Sequence, residues 1–173
     1  SGSATLNADL DCTGFEGYAV TLHGGTLTMN GHTITGGMIG IQCDRSCKIV
    51  GPGTVTQATF AGVNALEVGL KMSQVDLVDN AVFGAQVWDT ATISGPAVIS
   101  GNGTAIRVGA KAKLKDVTIT DNHTAVEAAN NANIGTIAAV RCTVTGNTLG
   151  LYAQRDVKVS DSTVTDNEQS GIL

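Results

Sequence analysis

Few side chains in this 173-residue chain are suited to chemistry, and the most suggestive of them fall into one pattern. Trp88 is the single tryptophan and stands two residues beyond Gln86. Arg107, Glu127 and Tyr152 take the place of Gln86 in later repeats of the sequence. An indole and a phenol beside an amide, a guanidinium and a carboxylate suit stacking on a sugar ring and bonding its hydroxyls. The same spacing also makes Arg107 and Glu127 a plain charge pair between adjacent strands. Gln86, Trp88, Arg107, Glu127 and Tyr152 are the candidate ligand-binding residues.

Catalysis asks for more than this strip offers. His23, His32 and His123 are scattered along the chain. The sequence holds no Gly-x-Ser-x-Gly elbow, no phosphate-binding loop and no second Cys or His pair at zinc spacing. No catalytic residue, metal site or cofactor is assigned.

The elements that position these residues come from a repeat. Thr-x-Thr steps occur at Thr33-Ile34-Thr35, Thr54-Val55-Thr56, Thr118-Ile119-Thr120, Thr143-Val144-Thr145 and Thr163-Val164-Thr165. Val75-Asp76-Leu77-Val78 and Ala97-Val98-Ile99-Ser100 fill the gap in the same register. The central apolar residues recur every 20 to 25 positions, which predicts a solenoid. Period-2 alternation within each repeat predicts three short strands. In the repeat from 112 to 129, Leu114, Val117, Ile119, Val126 and Ala128 point inward, and Lys113, Lys115, Thr118, Thr120 and Glu127 point outward. Asn80, Asn102, Asn122, Asn147 and Asn167 follow the Thr-x-Thr strand, as a ladder of stacked turn amides would. Asp79, Asp121 and Asp166 precede those Asn and read as turn formers. The expected fold is an all-β parallel β-helix of about seven to eight coils over residues 18–173, with residues 1–17 as an N-terminal cap of helix or irregular strand.

Composition agrees with a thin stacked core. Aromatics make up 3% of residues, so Phe and Trp cannot build the interior, while 42% of residues are hydrophobic. The net charge of −5, without a basic stripe interleaved with aromatics, excludes a nucleic-acid binder. No apolar run reaches the length of a membrane span, so no membrane insertion is expected. Ser1-Gly2-Ser3 reads as a trimmed start, with a removed export signal and no export signal at all as the two alternatives, and an extracytoplasmic or secreted location is favoured. Of the four cysteines, Cys43 and Cys47 bracket a short turn and suit a disulfide, with two free thiols or a pairing to Cys12 as alternatives. Cys142 takes the place of Val117 one coil later and reads as a buried small hydrophobe.

Asp9-Leu10-Asp11-Cys12, the run Leu27 to Ile34, and the blocks Val117 to Asn122 and Thr163 to Asn167 resemble the right-handed parallel β-helix repeat superfamily, which includes pectate-lyase-like proteins. The resemblance covers about residues 9 to 173 and implies contact with polysaccharide. Lyases of that group hold Ca²⁺ with clustered carboxylates and use Arg or Lys as base; hydrolases use clustered Asp. The outward row Thr21, Gln42, Asn64, Gln86, Arg107, Glu127, Tyr152 has no such cluster. The outward Lys48, Lys71, Lys113, Lys115 and Lys158, with Asp116, Asp156 and Asp161 close by, read as solvated charges that protect a sheet from aggregation. The first expectation is therefore a non-enzymatic, structural or polysaccharide-contacting module. A lyase or hydrolase, or an inactive relative, is one alternative. An ice-binding protein using its outward Thr ladder is another. Val157, Val159, Val164, Ile172 and Leu173 form an apolar last coil, so end-to-end homodimerisation is expected there, with a cap supplied by further residues as the alternative.

Overall fold

The computed structural model describes residues 2–129 and 135–173. All the described elements are strands, and they pair in parallel. The first and second strands of the turns join in one twelve-stranded sheet, whose two faces are here the first and second sheets; the third strands, from Tyr18–Leu22 to Ser170–Ile172, form an eight-stranded third sheet, so the chain winds through about eight turns of a β-solenoid. Residues 2–12 take strand rather than helix: Gly2–Thr5 pairs with Gly25–Thr28, and Leu10–Cys12 with Thr33–Gly36.

Three short strands per turn are found towards both ends, as in Thr136–Val140, Thr143–Thr145 and Leu149–Ala153. In the middle turns the first two run on as one strand: Cys47–Thr56, Leu70–Val78, Thr90–Ser100 and Lys111–Thr120. At the first corner of these turns Gln74 and Asp116 are left-handed (φ 56° and 57°), and the other two strands carry Gly51-Pro52 and Gly95-Pro96; Arg141 and Asp161 are left-handed at the same corner of the later turns, where the two strands stay separate. Register shifts at Val50/Gly53, Ser94/Ala97 and Ser94/Ile99 mark the bends.

Stacking makes each apolar position a column. Ile34, Val55, Leu77, Ile99, Ile119, Val144 and Val164 are in register through successive strand pairs. A second column holds Leu27, Ile49, Met72, Ile93, Leu114, Ala139 and Val159, and a third holds Ile41, Val63, Ala85, Ile106, Val126, Leu151 and Ile172. All but Val159, Val164 and Ile172 are buried, and each buried aliphatic contributes about 1.5–3 kcal/mol.

The second corner is set by the asparagines. The Oδ1 of Asn102 accepts the backbone N–H (3.0 Å) and the Nδ2–H (3.1 Å) of Asn80. Asn102 donates in turn to the Asn122 Oδ1 at 3.0 Å and to the Leu77 carbonyl at 3.0 Å. The pattern continues through Asn147 to Asn167. The preceding residue is left-handed at each of these turns, at Asp79, Gly101, Asp121, Gly146 and Asp166. Asp and Gly tolerate that backbone well, so these aspartates shape turns.

Cys43 and Cys47 form a disulfide, with Cα atoms 6.0 Å apart, across the third corner. Cys12 and Cys142 are free. Cys142 is buried, its thiol donates to the Val140 carbonyl at 3.4 Å, and burial pushes its pKa up, which makes it inert.

Candidate functional site

The third sheet carries the predicted strip. Strand register joins Thr21, Gln42, Asn64, Gln86, Arg107, Glu127 and Tyr152 into one outward row. Trp88 follows the row at the third corner and is 54% exposed; Tyr152 is 37% exposed. Four of the five candidate ligand residues thus share one line, with Trp88 just beyond it.

The charges in the row are partly spent on one another. Arg107 Nε lies 3.5 Å from Glu127 Oε2. The guanidinium carbon also sits 5.6 Å from the centre of the Phe83 ring, a cation–π arrangement. Phe83 meets Phe60 edge-on at 5.4 Å, and the two pack with Ile39 and Ala61 in a small apolar cluster apart from the core. Sequence reasoning missed this patch. Phe60 stands one residue ahead of the strand Ala61–Ala65 and Phe83 opens the strand Phe83–Val87, so the two rings sit one register position apart and no repeat period links them. At the other end of the row, Asn64 donates to the Gln42 Oε1 at 2.8 Å, Gln42 donates to Asp44, and His23 contacts Asp44 at 2.8 Å. The buried Oδ1 of Asn64 has no hydrogen-bond partner among the described residues.

The first sheet gathers charge more sharply than its sequence suggests. Thr26, Lys48, Lys71, Thr92, Lys113, Ala138 and Lys158 form one row. Lys111 and Lys115 flank it on the strand Lys111–Thr120, so all six lysines of the chain share this sheet. None takes part in an ion pair among the described residues. The nearby carboxylates are engaged elsewhere: Asp116 binds Arg141, and Asp156 lies 3.7 Å from Arg155.

The second sheet carries the threonines in two outward rows. One is Thr35, Thr56, Val78, Ser100, Thr120, Thr145, Thr165. In the other, Thr33 and Thr54 lead to Asp76, and Thr118, Thr143 and Thr163 follow Val98. Asp76 Oδ1 accepts the Val98 N–H at 2.7 Å and breaks the array.

The apolar last coil lies at one end of the core. Val157, Val159 and Val164 are half-buried, and Ile172 and Leu173 are 50% and 58% exposed. Their register partners Ile137, Ala139, Val144 and Leu151 are buried.

Among the described residues no three His, Cys, Asp or Glu side chains come together as a metal site. No helix is long and apolar enough to cross a membrane. No protein-family model, no curated protein and no solved structure matches the chain. The fold thus stands on the geometry alone.

Proposed function

We propose that this protein is a non-enzymatic β-solenoid of the right-handed parallel β-helix superfamily that contacts polysaccharide through its third sheet. The observation that carries the reading is the register: Gln86, Arg107, Glu127 and Tyr152 stand in one outward row beside the exposed ring of Trp88. Adjacent strands are about 4.8 Å apart, so three steps set the polar groups along roughly 14 Å, a track suited to a chain of sugars. Hydroxyls bond to the amide, the carboxylate and the phenol, and the indole and phenol stack on ring faces. Glu127 is the single carboxylate of the row and lies against Arg107, so the row offers no carboxylate pair to act as acid and base. The lysine sheet adds an attractive field for an acidic chain, so acidic glycans bind more tightly than neutral ones at low salt. The apolar last coil packs against a second copy.

Titration of soluble polysaccharides against Trp88 fluorescence, with a depolymerisation assay beside it, tests the reading. Saturable quenching, weakened about tenfold in Tyr152→Ala and Glu127→Gln, is expected, with no loss of polymer length. Depolymerisation would overturn the non-enzymatic part, and absence of quenching with every polymer would overturn the third sheet as the contact face.

The two threonine rows favour one second reading, ice binding. Regular hydroxyls on a flat sheet order water, but Asp76, Val78 and Val98 interrupt them. Thermal hysteresis distinguishes this reading; a clear hysteresis gap would put it first.

A further inference from the structure

The amide ladder stops before the first turns. Asn80 Oδ1 accepts the N–H of Ala58 at 3.1 Å, and beyond it Ala58 and Gly37 hold the ladder position. No amide fills the corner there. Beside this corner the loop after Asp11 helps to enclose a pocket of about 550 Å³ whose walls include Thr13, Phe15, Glu16, Met38, Gln57 and Thr59. That volume lies within the roughly 300–1,000 Å³ of small-molecule sites.

The walls are fixed by hydrogen bonds. The Asp11 carboxylate accepts both the N–H (2.9 Å) and the hydroxyl (2.6 Å) of Thr13. The Cys12 carbonyl accepts the N–H groups of Phe15 (3.0 Å) and Gly37 (2.9 Å). A Cβ on Gly17 would stand 2.6 Å from the Phe15 ring, so only glycine lets the ring lie on the backbone there. Phe15 is nonetheless 54% exposed, and Met38 is 37% exposed. Gln57 supplies an independent sign. It is left-handed (φ 57°) at the corner position where the other turns place Gly or Asp. Its side chain lines the pocket.

We infer that this pocket binds a single neutral hexose unit. Phe15 and Met38 offer an apolar surface for the C–H face of the ring. Glu16 accepts from its hydroxyls, and the Gln57 amide and Thr59 hydroxyl both donate and accept. The lining contains no Lys or Arg, and Glu16 repels anions, so an acidic sugar is disfavoured. An ammonium ligand would leave the donors of Gln57 unused. The site is separate from the Trp88 strip and does not rest on the function proposed for it.

Methyl-group NMR of the three methionines tests the inference, because Met29 and Met72 are buried and serve as internal references for Met38. The probes are methyl glycosides of glucose, galactose, mannose and N-acetylglucosamine, with galacturonate and tetramethylammonium as charged comparisons. At least one neutral glycoside should shift the Met38 methyl saturably without moving Met29, Met72 or the Trp88 indole N–H. Phe15→Ala should weaken that response roughly tenfold. Gln57→Gly, which suits the left-handed backbone and preserves the fold, should weaken it as well. No saturable Met38 shift with any neutral glycoside, a shift with a charged probe only, or an unchanged response in both variants overturns the inference. Movement of the Trp88 signal alone would do the same while supporting the third-sheet reading.

Discussion

Asparagine at the second corner shows how much one residue carries in a stacked fold. Each buried Asn satisfies backbone groups of its own turn and of its neighbours, so removing one orphans several at once. Asn102→Ala strips acceptors from Asn80 N–H and Nδ2–H and a donor from the Leu77 carbonyl. Orphaned buried groups cost about 1–3 kcal/mol each, so a loss of about 3 kcal/mol in urea unfolding is expected. Asn167→Ala, at the half-buried end of the ladder, should cost less than about 1 kcal/mol, because water replaces its bonds. Equal losses at the two sites would show that the ladder is a by-product of stacking.

Corners, at the scale of elements, are where one turn is tied to the next. Asp116 and Arg141 both take left-handed backbone at the first corner of adjacent turns. Arg141 Nε and Nη2 donate to the two carboxylate oxygens at 2.7 and 2.9 Å. Those bonds, and secondarily the guanidinium charge, hold the Asp116 carboxyl below its ordinary range despite some desolvation. A carboxyl lowered in the folded state adds stability above its unfolded value, and that contribution disappears as pH falls through the lowered one. Asp116→Asn keeps the backbone preference and removes the charge. Its melting temperature should lie below that of the parent at neutral pH, and the gap should close below about pH 4. A gap of constant size across the acid range would assign the effect to packing.

Considered as a whole, the molecule is polarised. Its net charge is −5, yet every lysine lies on the first sheet, while Asp79, Asp121 and Asp166 line the second corner. The core is continuous through the middle turns and opens at the last one, where Ile172 and Leu173 stand exposed. Covering that end with a second copy would bury the apolar column and pair the open strand edges. Light scattering on a size-exclusion column should then give twice the 17.5 kDa chain mass, falling towards a single chain in Val164→Lys. A soluble 17.5 kDa species at all concentrations would sink the association.

The repeat by itself determined the architecture. Ile34 through Val164 were legible as a column because parallel stacking converts a sequence period directly into a line of contacts. The same logic made the row from Thr21 to Tyr152 and the Asn ladder readable. The tertiary structure alone decided what depends on corners and on side-chain reach. In the middle turns the first two strands run on as one where alternation would separate them. Phe60 met Phe83 outside the core, and the lysines proved to share one face free of ion pairs among the described residues. The pocket at Phe15 is formed where the non-repeating loop after Asp11 meets corner residues Gly36, Gly37, Gln57 and Thr59 of later turns. Periodicity encodes repetition; a site built where the repetition fails has no period to reveal it.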